Sequence, residues 1–115
     1  HPAIGSVSYA GLKSSPFYQL GQKYLPLGQG AVFTAQLKGG FEAGVKFVES
    51  VNLFSHLANV GDARSLVLHP ASTTHRQLTP EQREAAGAGD DIVRISVGLE
   101  TVSDLIRDLD QALAD

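Results

Sequence analysis

Apolar residues recur along this chain at two spacings, every second position in some stretches and every third or fourth in others. The switches between the two mark the elements. Ala31, Phe33, Ala35 and Leu37 alternate with Val32, Thr34 and Gln36, which predicts a strand ended by Gly39-Gly40. In FEAGVKFVESV, Phe41, Val45 and Val48 fall on one helical stripe that Phe47 and Val51 widen, and Gly44 costs it about 1 kcal/mol against Ala, either to permit close packing or as a tolerated imperfection. Leu53 to Asn59 and Ser65 to Pro70 are candidate strands, separated by the turn residues Gly61-Asp62. Thr79, Pro80 and Gln82 stand at the cap, first and third positions of a helix that Gly87 stops. DIVRISVG alternates again, and TVSDLIRDLDQALAD places Val102, Leu105, Ile106, Leu109 and Leu113 on one face behind a Thr101/Asp104 start. A shorter helix is predicted over Ser15 to Leu25, with Ser15 as cap, and the aperiodic residues 1–14 read as loop or linker.

Helices interleaved with about four strands define an α/β layer of the α+β type. Each strand has one apolar face, Phe33/Leu37 in one case and Val93/Ile95/Val97 in another. The expected sheet is therefore largely antiparallel, covered by helices on one side and polar on the other.

Composition narrows the function classes. The chain has 115 residues, 43% hydrophobic and 18% charged, as one soluble globular domain does. A net charge of -3 gives no electrostatic footing for nucleic acid or an anionic membrane. No apolar run approaches the roughly 20 residues a bilayer span needs. Without cysteine, thiolate zinc sites, disulfides and cysteine nucleophiles are excluded. The chain also lacks methionine and opens at His1, which leads to the expectation of a fragment of a longer protein.

The residue that alternation singles out is Arg94. In an extended IVRIS segment it points away from Val93 and Ile95, together with Ile92 and Ser96. A guanidinium on a rigid strand suits a carboxylate or phosphate. It equally suits an ordinary surface position, or an internal pair with Asp62, Asp90 or Asp91, and spacing does not choose between these. Asn59, before Val60-Gly61, is placed either to present its amide to a ligand or simply to form a turn. His69 and His75 have no carboxylate at ligand spacing, so no metal site is expected. Ser72, Thr73 and Thr74 form a hydroxyl-rich loop without the glycines of a phosphate cradle, and no serine-hydrolase elbow is present.

Two stretches, NVGDARSLVLHPASTTHRQLTPEQREAAG and DIVRISVGLETVSDLIRDLDQAL, together resemble the C-terminal domain of the Cys/Met-metabolism family of pyridoxal-phosphate enzymes. HPAIGSVSYAGLKSSPFYQLGQKYLPLGQGAVFTAQLKGG and LFSHLANVGDARSLV are similar to its O-acetylhomoserine sulfhydrylase branch in particular. The resemblance implies the small domain of an aspartate-aminotransferase-like fold over residues 15–115, with 1–14 as the linker from an absent large domain. It implies a cytoplasmic enzyme of methionine biosynthesis, a transferase that assembles as a homotetramer or dimer. The reaction implied is γ-replacement, in which O-acetyl-L-homoserine and sulfide give L-homocysteine and acetate. Cystathionine γ-synthase, O-succinylhomoserine sulfhydrylase and methionine γ-lyase are the alternatives within the family, and a non-catalytic amino-acid-binding module is the alternative outside it.

By the same resemblance Arg94 grips the substrate α-carboxylate, Asn59 borders that carboxylate, and Thr74 lies in a loop near the site. The cofactor, pyridoxal 5'-phosphate, belongs to the intact parent. Lys13, Lys23, Lys38 and Lys46 match no Schiff-base lysine motif, so the chain alone is expected to bind no cofactor and to be inactive.

Overall fold

A computed structural model describes residues 1–114; Asp115, the last residue of the predicted C-terminal helix, lies outside them. In chain order the elements are β1 (Ile4–Ser8), α1 (Tyr18–Tyr24), β2 (Val32–Leu37), α2 (Gly40–Ser50), β3 (Ser55–His56), β4 (Leu66–Leu68), α3 (Pro80–Ala85), β5 (Ile92–Ser96) and α4 (Val102–Leu113), with a 3-10 turn at Pro70–Ser72. The strands form a single sheet in the order β1-β2-β5-β4-β3. The sheet is five-stranded and mixed, which corrects the expected four antiparallel strands. The β1/β2, β2/β5 and β4/β5 pairs are antiparallel, whereas β3 and β4 run parallel.

Both departures have physical causes. Residues 4–8, read from sequence as loop, pair with β2 at its free edge through a bulge between Ile4 and Ser6. Ile4 is half-buried and the other four positions are exposed, so the edge strand carries too little apolar alternation to announce itself. β3 is only two residues long, and the segment 57–65 carries the chain back to start β4 alongside it in the same direction. Such a crossover has no hairpin signature.

Cross-strand register divides the sheet's faces. Phe33 and Val67 both flank Ile95, and Ala35 faces Val93. These residues lie under α2 and α4, and the core continues into Phe47, Val48, Phe54, Leu105 and Ala112. Each large apolar side chain buried here contributes about 1.5–3 kcal/mol. The other face carries the Thr34–Arg94–Leu68 and Val32–Ser96–Leu66 rows. Arg94 thus lies on the side the helices leave open, as alternation predicts.

The helices bury slightly different stripes from those expected. α2 turns Gly44, Phe47 and Val48 inward and leaves Phe41 exposed. Gly44 is there for space: a Cβ on it would stand 2.6 Å from both Cδ2 and Nε2 of His69. His69 is fully buried, with Nε2 2.8 Å from the Asp90 carbonyl and Nδ1 2.8 Å from Ser72 Oγ. Because a carbonyl only accepts, Nε2 holds the proton and Nδ1 accepts from the serine. His69 is therefore a packed structural residue, and among the described residues no cluster suited to a metal ion occurs.

α4 buries Leu105 as expected but exposes Val102 and Ile106, and it buries Asp108 and Ala112 in addition. Thr101 makes no side-chain cap, unlike Thr79, whose capping box with Gln82 forms as predicted. Asp108 is the unexpected core residue. It accepts from the backbone N–H groups of Asn52 and Leu53, each at 2.8 Å, and of Phe54 at 3.0 Å. Gln111 donates both to Asp108 and to the Ser50 carbonyl, so α4 ties down the whole exit from α2. Burial pushes the Asp108 carboxyl up, but these donors offset it and hold the carboxyl below its ordinary 3.8.

Asp108→Ala leaves those backbone donors without acceptors and is expected to cost about 2–4 kcal/mol, read from the urea midpoint of the chain. Because the folded-state value is depressed, the carboxylate's contribution is complete above the unfolded value and fades as pH falls through the folded one. The gap between wild type and Asp108→Asn should accordingly narrow below about pH 4.

Candidate functional site

The open face of the sheet is organised around a small cleft lined by Leu57, Asn59, Leu66, Leu68, Arg94 and Ser96. β5 aims Arg94 and Ser96 into it, β4 supplies the two leucines, and the 57–65 crossover brings Leu57 and Asn59 over the top. The cleft holds about 10 Å³, room for no more than one water. A carboxylate is too large to enter the cleft, so Arg94 is open to one only at its mouth.

Arg94 is half-buried, and among the described residues its guanidinium has no hydrogen bond or ion pair. The three carboxylates that sequence offered as partners are engaged elsewhere. Asp62 pairs with Arg64 at 3.0 Å, Asp90 with Arg83 at 2.9 Å, and Asp91 accepts from Gln36 Nε2 at 2.6 Å. A half-buried cation without a partner loses hydration and gains nothing in return within the chain. That is the electrostatic condition of a group held ready for an anion.

The crossover is itself tightly ordered. Asn59 Oδ1 accepts from the Val60 N–H at 2.8 Å, and Asn59 Nδ2 donates to Asp62 Oδ2 at 3.0 Å. Asp62 also accepts from the Arg64 backbone N–H and from its Nε and Nη2. The Arg64 side chain foremost, then its backbone N–H and the Asn59 amide, hold the Asp62 carboxyl far below the usual carboxylate range. Next along the chain, buried Ser65 donates from N and Oγ to Glu100, while the Gly98 N–H donates to Ser65 Oγ at 2.7 Å. The Ser65 N–H and hydroxyl lower the Glu100 carboxyl in turn. The crossover is thereby fastened to the end of β5, just past Arg94.

Of the three residues named from sequence, Arg94 and Asn59 share the cleft. Thr74 lies apart from it, exposed, with its hydroxyl 2.8 Å from His75 Nδ1. Asp62 and Arg64 act here with Asn59, a role sequence reading missed. The signal was local, an Asn, an Asp and an Arg within six positions of a turn.

Pyridoxal phosphate does not find its anchors among these residues. Lys13, Lys23, Lys38 and Lys46 are all exposed, none lines the Arg94 cleft, and no glycine-rich phosphate loop adjoins it. Among the described residues the face offers a cation and an amide side by side, a pair able to take an anion, with no lysine beside them to hold a cofactor covalently. Among the described residues no helix is long and apolar enough to cross a membrane.

The family model for Cys/Met metabolism PLP-dependent enzymes matches residues 1–114. An O-acetyl-L-homoserine sulfhydrylase of Thermus thermophilus is 51% identical over 98% of the chain, which covers 27% of that protein. An L-methionine gamma-lyase of Treponema denticola is 46% identical over 98% of the chain and 28% of its own length. Among solved structures, an O-acetylhomoserine (thiol)-lyase from Campylobacter jejuni superposes with a TM-score of 0.90 at 38% identity, over 98% of this chain and 27% of that one. That structure carries a pyridoxyl-lysine monophosphate. The chain spans about a quarter of the length of these relatives.

Proposed function

The chain belongs to the Cys/Met metabolism PLP-dependent enzyme family, and on that premise we propose that it is the C-terminal small domain of an O-acetyl-L-homoserine sulfhydrylase. In this reading residues 15–115 form the small domain, and β1 of the segment before them completes its sheet at the β2 edge. Residues 1–14 lead in from a large domain that holds the cofactor and its lysine. The complete enzyme is a cytoplasmic homo-oligomer. It replaces the acetate on Cγ of O-acetyl-L-homoserine with sulfide, forming the C–S bond of L-homocysteine as the C–O bond to acetate breaks.

The observation that carries the reading is the Arg94 guanidinium, without a partner among the described residues, beside Asn59 on the face the helices leave open. An amino-acid substrate brings an α-carboxylate, and a planar fork on a rigid strand grips it in two places. Such a clamp fixes the orientation of the substrate's reacting bonds, which is how a binding residue remote from the chemistry raises its rate. The residues here bind and orient; the bond-making groups belong to the rest of the enzyme.

A second reading has its own support, because sulfhydrylase and γ-lyase relatives match at similar identity. Both act on α-amino acids and would use the same clamp. Assays of the full-length enzyme with acetyl and succinyl homoserine esters, each with sulfide and with cysteine, separate the possibilities when L-methionine is included as a lyase substrate. The expected result is homocysteine from the acetyl ester and sulfide in preference to every other pairing. Preferential use of the succinyl ester, or faster methanethiol release from L-methionine, would overturn the assignment.

A further inference from the structure

The Asn59 amide is held in one orientation, and the carboxylate that holds it does not itself line the cleft. Were the amide turned over, its NH₂ would meet the Val60 N–H and its oxygen would meet the Asp62 carboxylate. Both encounters are repulsive, so the orientation with Oδ1 on Val60 and Nδ2 on Asp62 is enforced. That leaves one N–H of the amide uncommitted, on a residue that lines the cleft with Arg94. Asp62 would ordinarily disfavour any anion approaching this cleft. Arg64 answers that charge from three directions, through its backbone N–H at 2.8 Å, Nε at 3.2 Å and Nη2 at 3.0 Å.

We propose that Asp62 is a positioning residue, which fixes the Asn59 amide so that its free N–H joins Arg94 on the substrate carboxylate, while Arg64 neutralises it. The inference rests on the carboxylate-clamp reading above and adds to it the device that sets the clamp's second donor. Arg94 needs no such device because its strand fixes it. Asn59 sits on a crossover loop, where an unrestrained amide would sample both faces.

The test uses the full-length enzyme, its O-acetyl-L-homoserine KM and kcat, and its thermal midpoint. Asp62→Ala is expected to raise KM about tenfold with kcat changed less than about twofold, because the lost interaction orients a binding group. Asp62→Asn can keep an acceptor for the Asn59 amide only with its own NH₂ turned onto the Arg64 N–H and Nε donors, so it should recover at most part of that loss. If Asp62 acts through Asn59, the Asn59→Ala/Asp62→Ala double variant should match Asn59→Ala alone. An unchanged KM in Asp62→Ala or full additivity in the double variant would each overturn the proposal. So would a fall in kcat that tracks a lowered thermal midpoint in every variant, which marks a loop-folding role. Arg94→Ala serves as the reference arm. If it also leaves KM unchanged, the clamp reading itself fails; if it raises KM while Asp62→Ala does not, only the positioning role is lost.

Discussion

Replacing Arg94 by alanine in the full-length enzyme is expected to lower kcat/KM for the amino-acid substrate by about a thousandfold. Two charge-assisted hydrogen bonds to one carboxylate contribute about 1.5–3 kcal/mol each, and losing both removes around three powers of ten. Arg94→Lys should retain the charge but not the fork and fall in between, about a hundredfold down. Thermal stability should hardly change, because among the described residues the guanidinium has no hydrogen bond or ion pair to lose. That separation of activity from stability is the signature to look for in steady-state kinetics paired with thermal melts. A KM within about threefold of wild type in Arg94→Ala would remove the clamp from the mechanism.

Gly98→Ala is expected to have the largest effect on the fold, about 3 kcal/mol or more, measured as a shift in the urea midpoint of the chain. A Cβ at this position would stand 2.6 Å from the Ser65 nitrogen and run into the main chain of Ala63 and Arg64 as well. These are backbone atoms, which cannot swing aside as a side-chain tip does. To make room, the crossover must lift from the end of β5, and the Gly98–Ser65–Glu100 hydrogen bonds go with it. Because the same crossover carries Asn59, the full-length variant should lose substrate affinity along with stability. A midpoint within experimental error of wild type would show that the junction relaxes at little cost.

What the sequence disclosed, and what it withheld, follows from how local each signal is. β2, β5 and the start of α3 each carry their pattern within a few neighbouring residues, and all form as read. Arg94's face also follows directly from alternation. Its lack of a partner does not, because the competing carboxylates are claimed by Arg64, Arg83 and Gln36, two of them far away in sequence or in another element. β1 stays hidden because its pairing is decided by the edge of β2 rather than by its own composition, whereas β3 lies inside the candidate strand Leu53 to Asn59 and only its two-residue length and parallel pairing with β4 go unannounced. Asp108 reads as one more solvent-facing acid of α4. Only the tertiary fold brings the N–H groups of residues 52–54 to it. Gly44 looks like an imperfection in a helix until His69 is seen against it.

The strand order also has a kinetic consequence. β5 stands between β2 and β4 and is the last strand to be synthesised, so neither of its neighbours can complete its hydrogen bonding until Ile92–Ser96 has left the ribosome. Until then β2 waits with one edge unpaired and the future core exposed, and Val32 must find Ser96 across most of the chain. Long-range pairing of this kind slows folding and lengthens the time an open edge is available to other chains. Nascent-chain protease protection of the sheet should therefore appear in one late step, when the segment that bears Arg94 emerges.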